Sequence, residues 1–222
     1  MLRRHQRIAE IALTASGQYG FALAGGYAVS AHGMGDRLSG DVDLFTAWQL
    51  RNDFPEAVDA VVQALTEHGY LVSTVIRNDT FARLLLEDQK GSEEEPDKLE
   101  MSADWRAHPP VTLAVGPVLH PDDAVANKMC ALYGRAEARD FLDVDVALTS
   151  GRYSRKRLLE LASAADPGFD PAAFAAALGS LDQVTDADFD CYGLPTSALP
   201  AIRERFADWR AEILASLEFP QP

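Results

Sequence analysis

Cysteine is nearly missing from this chain: Cys130 and Cys191, with sixty residues between them, are the only two among 222 residues. They make no disulfide framework, and without His or Cys neighbours at ligand spacing they make no zinc site, so a reducing cytoplasm is the expected setting. Long apolar runs are missing too. No stretch approaches the roughly 20 residues that a membrane span needs. The opening MLRRHQRIAEIALTASG interrupts its apolar part with Glu10 and Thr14, which reads as an amphipathic helix and not as a signal peptide. No membrane association is expected. Positive charge is scarce as well, with 20 Lys and Arg against 34 Asp and Glu and a net charge of −14. That balance excludes a protein that coats nucleic acid through a general positive field. It leaves room for a local basic groove, because RYSRKR (152 to 157) and Lys128, Arg135 and Arg139 gather basic charge while GSEEEPD (91 to 97) and DADFD (186 to 190) gather acid.

What the chain does have is enough apolar content, 47% of its residues, to bury a full core. Residues 2 to 16 repeat apolar positions at helical spacing, YGFALAGG reads as a short buried strand ended by glycines, and a helix from Tyr27 to Gly33 should follow. VDLF is a second strand. NDFPEAVDAVVQALTEHG combines a capping residue, an early proline, an apolar stripe and a terminal glycine, the marks of a helix. YLVSTVIR, TFARLLLED, KLEMSAD and a final short VTLAV have strand length and pattern, whereas everything after Pro117 has helical period punctuated by proline or glycine. The expected fold class is therefore α+β, with residues 1–120 as an α+β domain and 121–222 as a helical domain, and no internal repeat.

Two features in LAGGYAVSAHGMGDRLSGDVDLF, residues 23 to 45, point to chemistry. Alternation along a strand turns Asp41 and Asp43 to one side while Val42 and Leu44 face the core. Two such carboxylates repel each other unless a cation lies between them, and hard Mg²⁺ prefers carboxylate and phosphate oxygens. The plainer alternative is the solvent side of an amphipathic strand. Upstream, Gly25 and Gly26 separate a strand from a helix, where backbone without Cβ admits a phosphate and the helix start offers unpaired N–H groups; a simple tight turn is the alternative. The ordered set of strand, glycine pair, helix and D-x-D strand is more specific than either part.

LAGG, then His32, then RLSGDVDLF resembles the motif of the DNA polymerase β-type nucleotidyltransferase superfamily. Within it the chain is most similar to the AbiEii/AbiGii-like (MenT-like) nucleotidyltransferase toxins, a branch that also suits the fourteen residues between Gly26 and Asp41. A second block, NKMCALYGRAEARDFLDVDVAL (127 to 148), is similar to that family's second motif, with Lys128, Arg135, Arg139, Asp140 and Asp143 at the matching positions. A surface helix pair laced with i, i+4 ion pairs is the alternative for this block alone.

The resemblance implies a nucleotidyltransferase-type mixed sheet flanked by helices, followed by a C-terminal helical domain that closes the active-site cleft. It implies an Mg²⁺-dependent enzyme, with Mn²⁺ as the alternative ion, that passes nucleotides from an NTP to an acceptor such as the tRNA 3′ end. The enzyme would be the toxin of a bacterial toxin–antitoxin or phage-defence system with a cognate antitoxin. Asp41 and Asp43 would hold the metal; Gly25 and Gly26 would cradle phosphates; Lys128 and Arg139 would neutralise the triphosphate; Asp143, with Asp140, would orient Lys128 or act near the attacking hydroxyl. A third carboxylate is common in the superfamily, and Glu100 is the candidate, with Glu87 and Asp104 as competitors.

Other residues have two readings each. Ser39 caps a turn or touches a phosphate, and a phosphate attached there would crowd the metal carboxylates. Arg37 reaches a phosphate or pairs with Asp36 or Asp41. His32 is expected to pack structurally, Trp48, Trp105 and Trp209 to serve the core, and RYSRKR to be a solvated helix start or a contact for an RNA backbone. Two other functions stay open: a nucleotidyltransferase acting on a cationic small molecule of the aminoglycoside type, which the acidic charge would suit, and a non-catalytic nucleotide-binding module.

Overall fold

A computed structural model describes residues 1–35, 37, 39–89 and 95–218. Asp36 and most of the acidic GSEEEPD stretch lie outside the described residues. The chain divides into two compact units, Met1–His32 with Leu38–Pro121, and Gly33–Arg37 with Asp122–Pro222.

In the first unit, α1 (Arg3–Ser16) precedes β1 (Ala22–Leu23) and α2 (Gly25–Ala31), then β2 (Asp41–Ala47), α3 (Phe54–Glu67), β3 (Tyr70–Arg77), β4 (Phe81–Asp88), β5 (Asp97–Asp104), β6 (Val111–Leu113) and β7 (Gly116–Val118). The seven strands form one mixed sheet in the order β3-β4-β5-β2-β1-β7-β6, with β2/β5 and β1/β7 parallel and the other pairs antiparallel. This is the α+β fold with a mixed sheet that the sequence pointed to.

The two faces of the sheet differ because alternation sorts their side chains. Val42, Leu44, Leu84, Leu99 and Met101 are fully buried on one face, and α1 and α3, which pack on each other and neighbour β2 and β3, bury Ile8, Ala12, Val58, Val61 and Leu65. Burying such side chains contributes about 1.5–3 kcal/mol each, which makes this face the structural anchor of the unit. The opposite face of the same strands carries Asp41, Asp43, Arg83, Lys98 and Glu100.

Three local details differ from the sequence reading. The helix after the glycines starts two residues earlier, so Gly25 and Gly26 form its first turn, and it ends at Ala31 with His32 as its C-cap. VTLAV is strand only to Leu113, and Gly116 at φ +118° then turns the chain into β7, which the alternation did not reveal. Asp53 precedes α3, yet its side chain makes no capping hydrogen bond.

The second unit contains α4 (Pro121–Gly134), α5 (Ala138–Thr149), α6 (Arg155–Ala165), α7 (Pro171–Gly179), the single turn α8 (Ala187–Asp190) and α9 (Leu199–Glu218). Its starts are well marked: Ser154 caps α6 through the N–H of Arg157, and Asp170 caps α7 through the N–H of Ala173 ahead of Pro171. The core is aromatic. Phe174 meets Trp209 edge-on at 5.4 Å, Phe206 stacks on Trp209 at 6.3 Å, and Phe141 meets Phe206 edge-on at 5.3 Å. Among the described residues no helix is long and apolar enough to cross a membrane.

Candidate active site

β2 and β5 lie side by side and parallel, in a register that sets Asp41 opposite Lys98 and Asp43 opposite Glu100. Partners across a ladder share a face, so the four side chains form a small array on the polar face of the sheet. Asp41, Asp43 and Glu100 each offer an oxygen, all within 4.8 Å of one another. An all-oxygen set of this kind suits Mg²⁺ or Mn²⁺ and offers nothing to a thiophilic ion. Glu87 pairs instead with Leu71, and Asp104 lies at the far end of β5 opposite Ala47, where burial raises its carboxyl above the usual range.

Gly25 explains why this array is possible. Its backbone sits at φ +60°, a region that favours glycine, and a Cβ there would lie 1.7 Å from Asp43 Oδ2 and 2.6 Å from Cγ. The glycine therefore lets the carboxylate of Asp43 approach the start of α2. Gly26, next to it, is buried.

Behind Asp41 runs a chain of hydrogen bonds. Ser39, only 4% exposed, donates from Oγ to Asp41 Oδ1 at 3.1 Å. The Tyr27 hydroxyl donates to the carbonyl of Ser39 at 3.2 Å, and His5 Nδ1 lies 2.6 Å from that hydroxyl. His5 Nε2 meets Asp97 at 2.9 Å; burial pushes the pKa of His5 down in spite of that carboxylate. The sequence pattern singled out Ser39 but neither His5 nor Tyr27, which meet across distances that no local periodicity encodes. Lys98 and Arg83 were missed as well. The alternation that picked out Glu100 also places Lys98 on the same face, so the signal for Lys98 was there.

In the helical unit the second motif organises around Asp143. Its carboxylate, 1% exposed, takes Arg37 Nε at 2.5 Å and Nη2 at 2.7 Å, and Lys128 Nζ at 2.8 Å. Burial alone would raise this carboxyl, but the charges of Lys128 and Arg37 outweigh it and hold Asp143 below the usual carboxylate range. Two cations on one anion leave the group with a net positive charge, which is suited to holding phosphate oxygens. Arg37 thus forks onto Asp143, a partner the sequence reading did not name for it, and stacks over Tyr192 at 5.4 Å.

The remaining predicted positions have other surroundings. Asp140 is fully buried, held by Nε and Nη2 of Arg135, each at 2.8 Å, and by the N–H of Glu137, completing a capping box at the start of α5. That geometry makes it a builder of α5. Arg139 reaches Glu137 at 2.9 Å and is 30% exposed. His32 accepts its expected structural role, bonding the carbonyl of Leu119 at 2.7 Å. Trp209 is in the core, whereas Trp48 is 47% exposed with Arg51 over its ring, because the turn after β2 carries it outward. In RYSRKR, Arg155 pairs with Glu212 and Arg157 with Asp122, so these two charges are largely spent within the unit.

Sequence comparison matches residues 10–182, well over half of the chain, to the nucleotidyl transferase AbiEii toxin family of type IV toxin–antitoxin systems. The chain belongs to the AbiEii family. It is a nucleotidyltransferase, which removes the reading as a non-catalytic module. The sequence of this AbiEii protein matches no curated protein. Its fold matches a crystal structure described as a nucleotidyltransferase from H. pylori, at 17% identity and a TM-score of 0.59, over 99% of this chain and 97% of that one. JHP933 from Helicobacter pylori matches at 17% identity and a TM-score of 0.59, over 97% and 92% of the two chains. The antibiotic-resistance factor ANT(2'')-Ia matches at 15% identity and a TM-score of 0.51, over 82% and 97%. At such identities these likenesses speak for the fold of the AbiEii protein.

Proposed function

We propose that this AbiEii protein transfers nucleotides from an NTP to a hydroxyl of an RNA acceptor, the 3′ end of tRNA, with Mg²⁺ held by Asp41, Asp43 and Glu100. The observation that carries the reading is the convergence of these three carboxylates from two parallel strands, with Gly25 giving Asp43 its room. When bound, the metal neutralises charge on the transferring phosphate and lowers the pKa of the attacking hydroxyl. One P–O bond forms to the acceptor oxygen and another breaks, releasing pyrophosphate and a proton.

The protein's own part is positioning. Ser39 and the Tyr27–His5 chain behind it hold Asp41 in one orientation. Residues 1–120 supply the metal carboxylates and, with Gly26, the backbone approach for phosphate. Residues 121–222 supply Lys128 and Arg139 to neutralise the triphosphate. Asp143, its pKa depressed by two cations, is a weak base and serves to orient Lys128 and Arg37. The family's toxins work in type IV toxin–antitoxin systems, and on this reading the chain acts in the cytoplasm with a cognate antitoxin as its partner.

A second reading is favoured by the net charge of −14: transfer to a cationic small molecule, which an acidic enzyme would attract. One experiment separates the two. The protein is incubated with each labelled NTP, Mg²⁺, total tRNA and, separately, an aminoglycoside. Label in tRNA supports the first reading and label on the aminoglycoside the second. Asp41→Ala should remove transfer while leaving the melting curve folded; retained transfer would sink the site assignment.

A further inference from the structure

The polar face holds a cation of its own. Lys98 extends its amine to 3.0 Å from Asp41 Oδ2 and 3.7 Å from Glu100 Oε1. Asp41 is thereby engaged at both oxygens, Oδ1 by Ser39 and Oδ2 by Lys98. Glu100 Oε1 also accepts from Arg83 Nε at 2.8 Å. Three acids and two bases share the patch, so its net charge is far lower than three carboxylates would give. The Lys98 side chain is 31% exposed while those of Asp41 and Glu100 are 10% and 18%, so the lysine has a way out to solvent along a flexible stem that its acidic neighbours lack.

We propose that Lys98 is a positioning residue of the metal site, a tethered counter-ion that keeps Asp41 and Glu100 together and that a divalent cation must displace in order to bind them. This rests on the reading of Asp41, Asp43 and Glu100 as metal ligands. Binding is then an exchange, divalent ion in and ammonium out to water, with no covalent change. Asp41 and Glu100, the two carboxylates that Lys98 contacts, both belong to the set that would hold the metal, so the affinity of the site is set against the ion pairs it has to break. A lysine that merely supported β5 would leave metal affinity unchanged when replaced by an apolar side chain of similar length.

The test is Mn²⁺ titration of the full chain, reading free Mn²⁺ by electron paramagnetic resonance, for the wild type, Lys98→Met, Lys98→Arg and Asp43→Asn. Lys98→Met should bind Mn²⁺ about fivefold more tightly, the equivalent of one partly exposed ion pair no longer competing. Lys98→Arg, which keeps the charge, should stay at or below wild-type affinity, and Asp43→Asn should bind more weakly than either. As a check on folding, saturating Mn²⁺ should raise the melting temperature of Lys98→Met more than that of the wild type. Equal affinity in wild type and Lys98→Met, or weaker binding in Lys98→Met, overturns the exchange and leaves the metal site standing. No Mn²⁺ binding by any of the four proteins overturns the metal reading itself.

Discussion

Gly25→Ala puts the most weight on the geometry of the site. The new Cβ would lie 1.7 Å from Asp43 Oδ2, 2.6 Å from Cγ and 2.9 Å from Cβ, whereas real Cβ contacts essentially never fall under 3.0 Å. Rotating the carboxylate away cannot cure the clash, because the Cβ of Asp43 on β2 is also too close. The strand or the start of α2 must move. Holding alanine at φ +60° costs about 1–2 kcal/mol, and for a chain of this size that lowers the melting temperature by about 2–8 °C. On the proposed reading of Asp43 as a metal ligand the effect on chemistry is larger, since displacing a reacting-site group by about 1 Å costs on the order of 10²-fold in rate. The assay is Mn²⁺ affinity and nucleotide transfer to tRNA for the purified variant, beside its thermal melt. A variant that melts a few degrees low and yet transfers at more than a tenth of the wild-type rate would refute the claim that Gly25 is there to seat Asp43.

Asp143→Asn leaves Lys128 and Arg37 buried around a neutral amide and should destabilise the protein by about 3–5 kcal/mol at pH 7, read as a fall in melting temperature. The pKa of Asp143 is depressed in the folded state, so its contribution is present above the unfolded carboxylate value near 4 and fades as pH falls through the folded value. The melting difference between wild type and Asp143→Asn should therefore narrow in acid; a difference that stays constant down to about pH 3 would count against the ion-pair account. In the helical core, Trp209 is fully buried and its indole N–H finds no hydrogen-bond partner among the described residues. Trp209→Phe should accordingly cost less than about 1.5 kcal/mol by thermal melt, against about 3–5 kcal/mol for Trp209→Ala, and equal losses for both would show that the nitrogen matters.

Much of the candidate site was legible because it lies on strands, where a period of two assigns faces without reference to the rest of the chain. Asp41, Asp43 and Glu100 were readable on those terms, and the register of β2 against β5 brings them together. The hairpin of β6 and β7 was not legible, since three-residue strands have too few positions to show alternation and the turn depends on Gly116 at φ +118°. Nor was the partner of Arg37. It sits in a segment without periodicity, and Asp143 lies 106 positions further along the chain. The R-x-x-x-R-D run shows the opposite limit: its spacing is plain in the sequence, but the capping box that Asp140 completes with Glu137 at the start of α5 is not.

The short Gly33–Arg37 segment belongs to the helical unit although the chain on both sides of it belongs to the other. No single cut can therefore divide this protein into its two units. A fragment starting at residue 122 would keep Asp143 and Lys128 but lose the arginine that forks onto that carboxylate from 106 positions earlier in the chain. A ribosome finishes Arg37 long before the helix it will hold has been made, so the helical unit must wait for its own end while one of its buried charges has already left the tunnel.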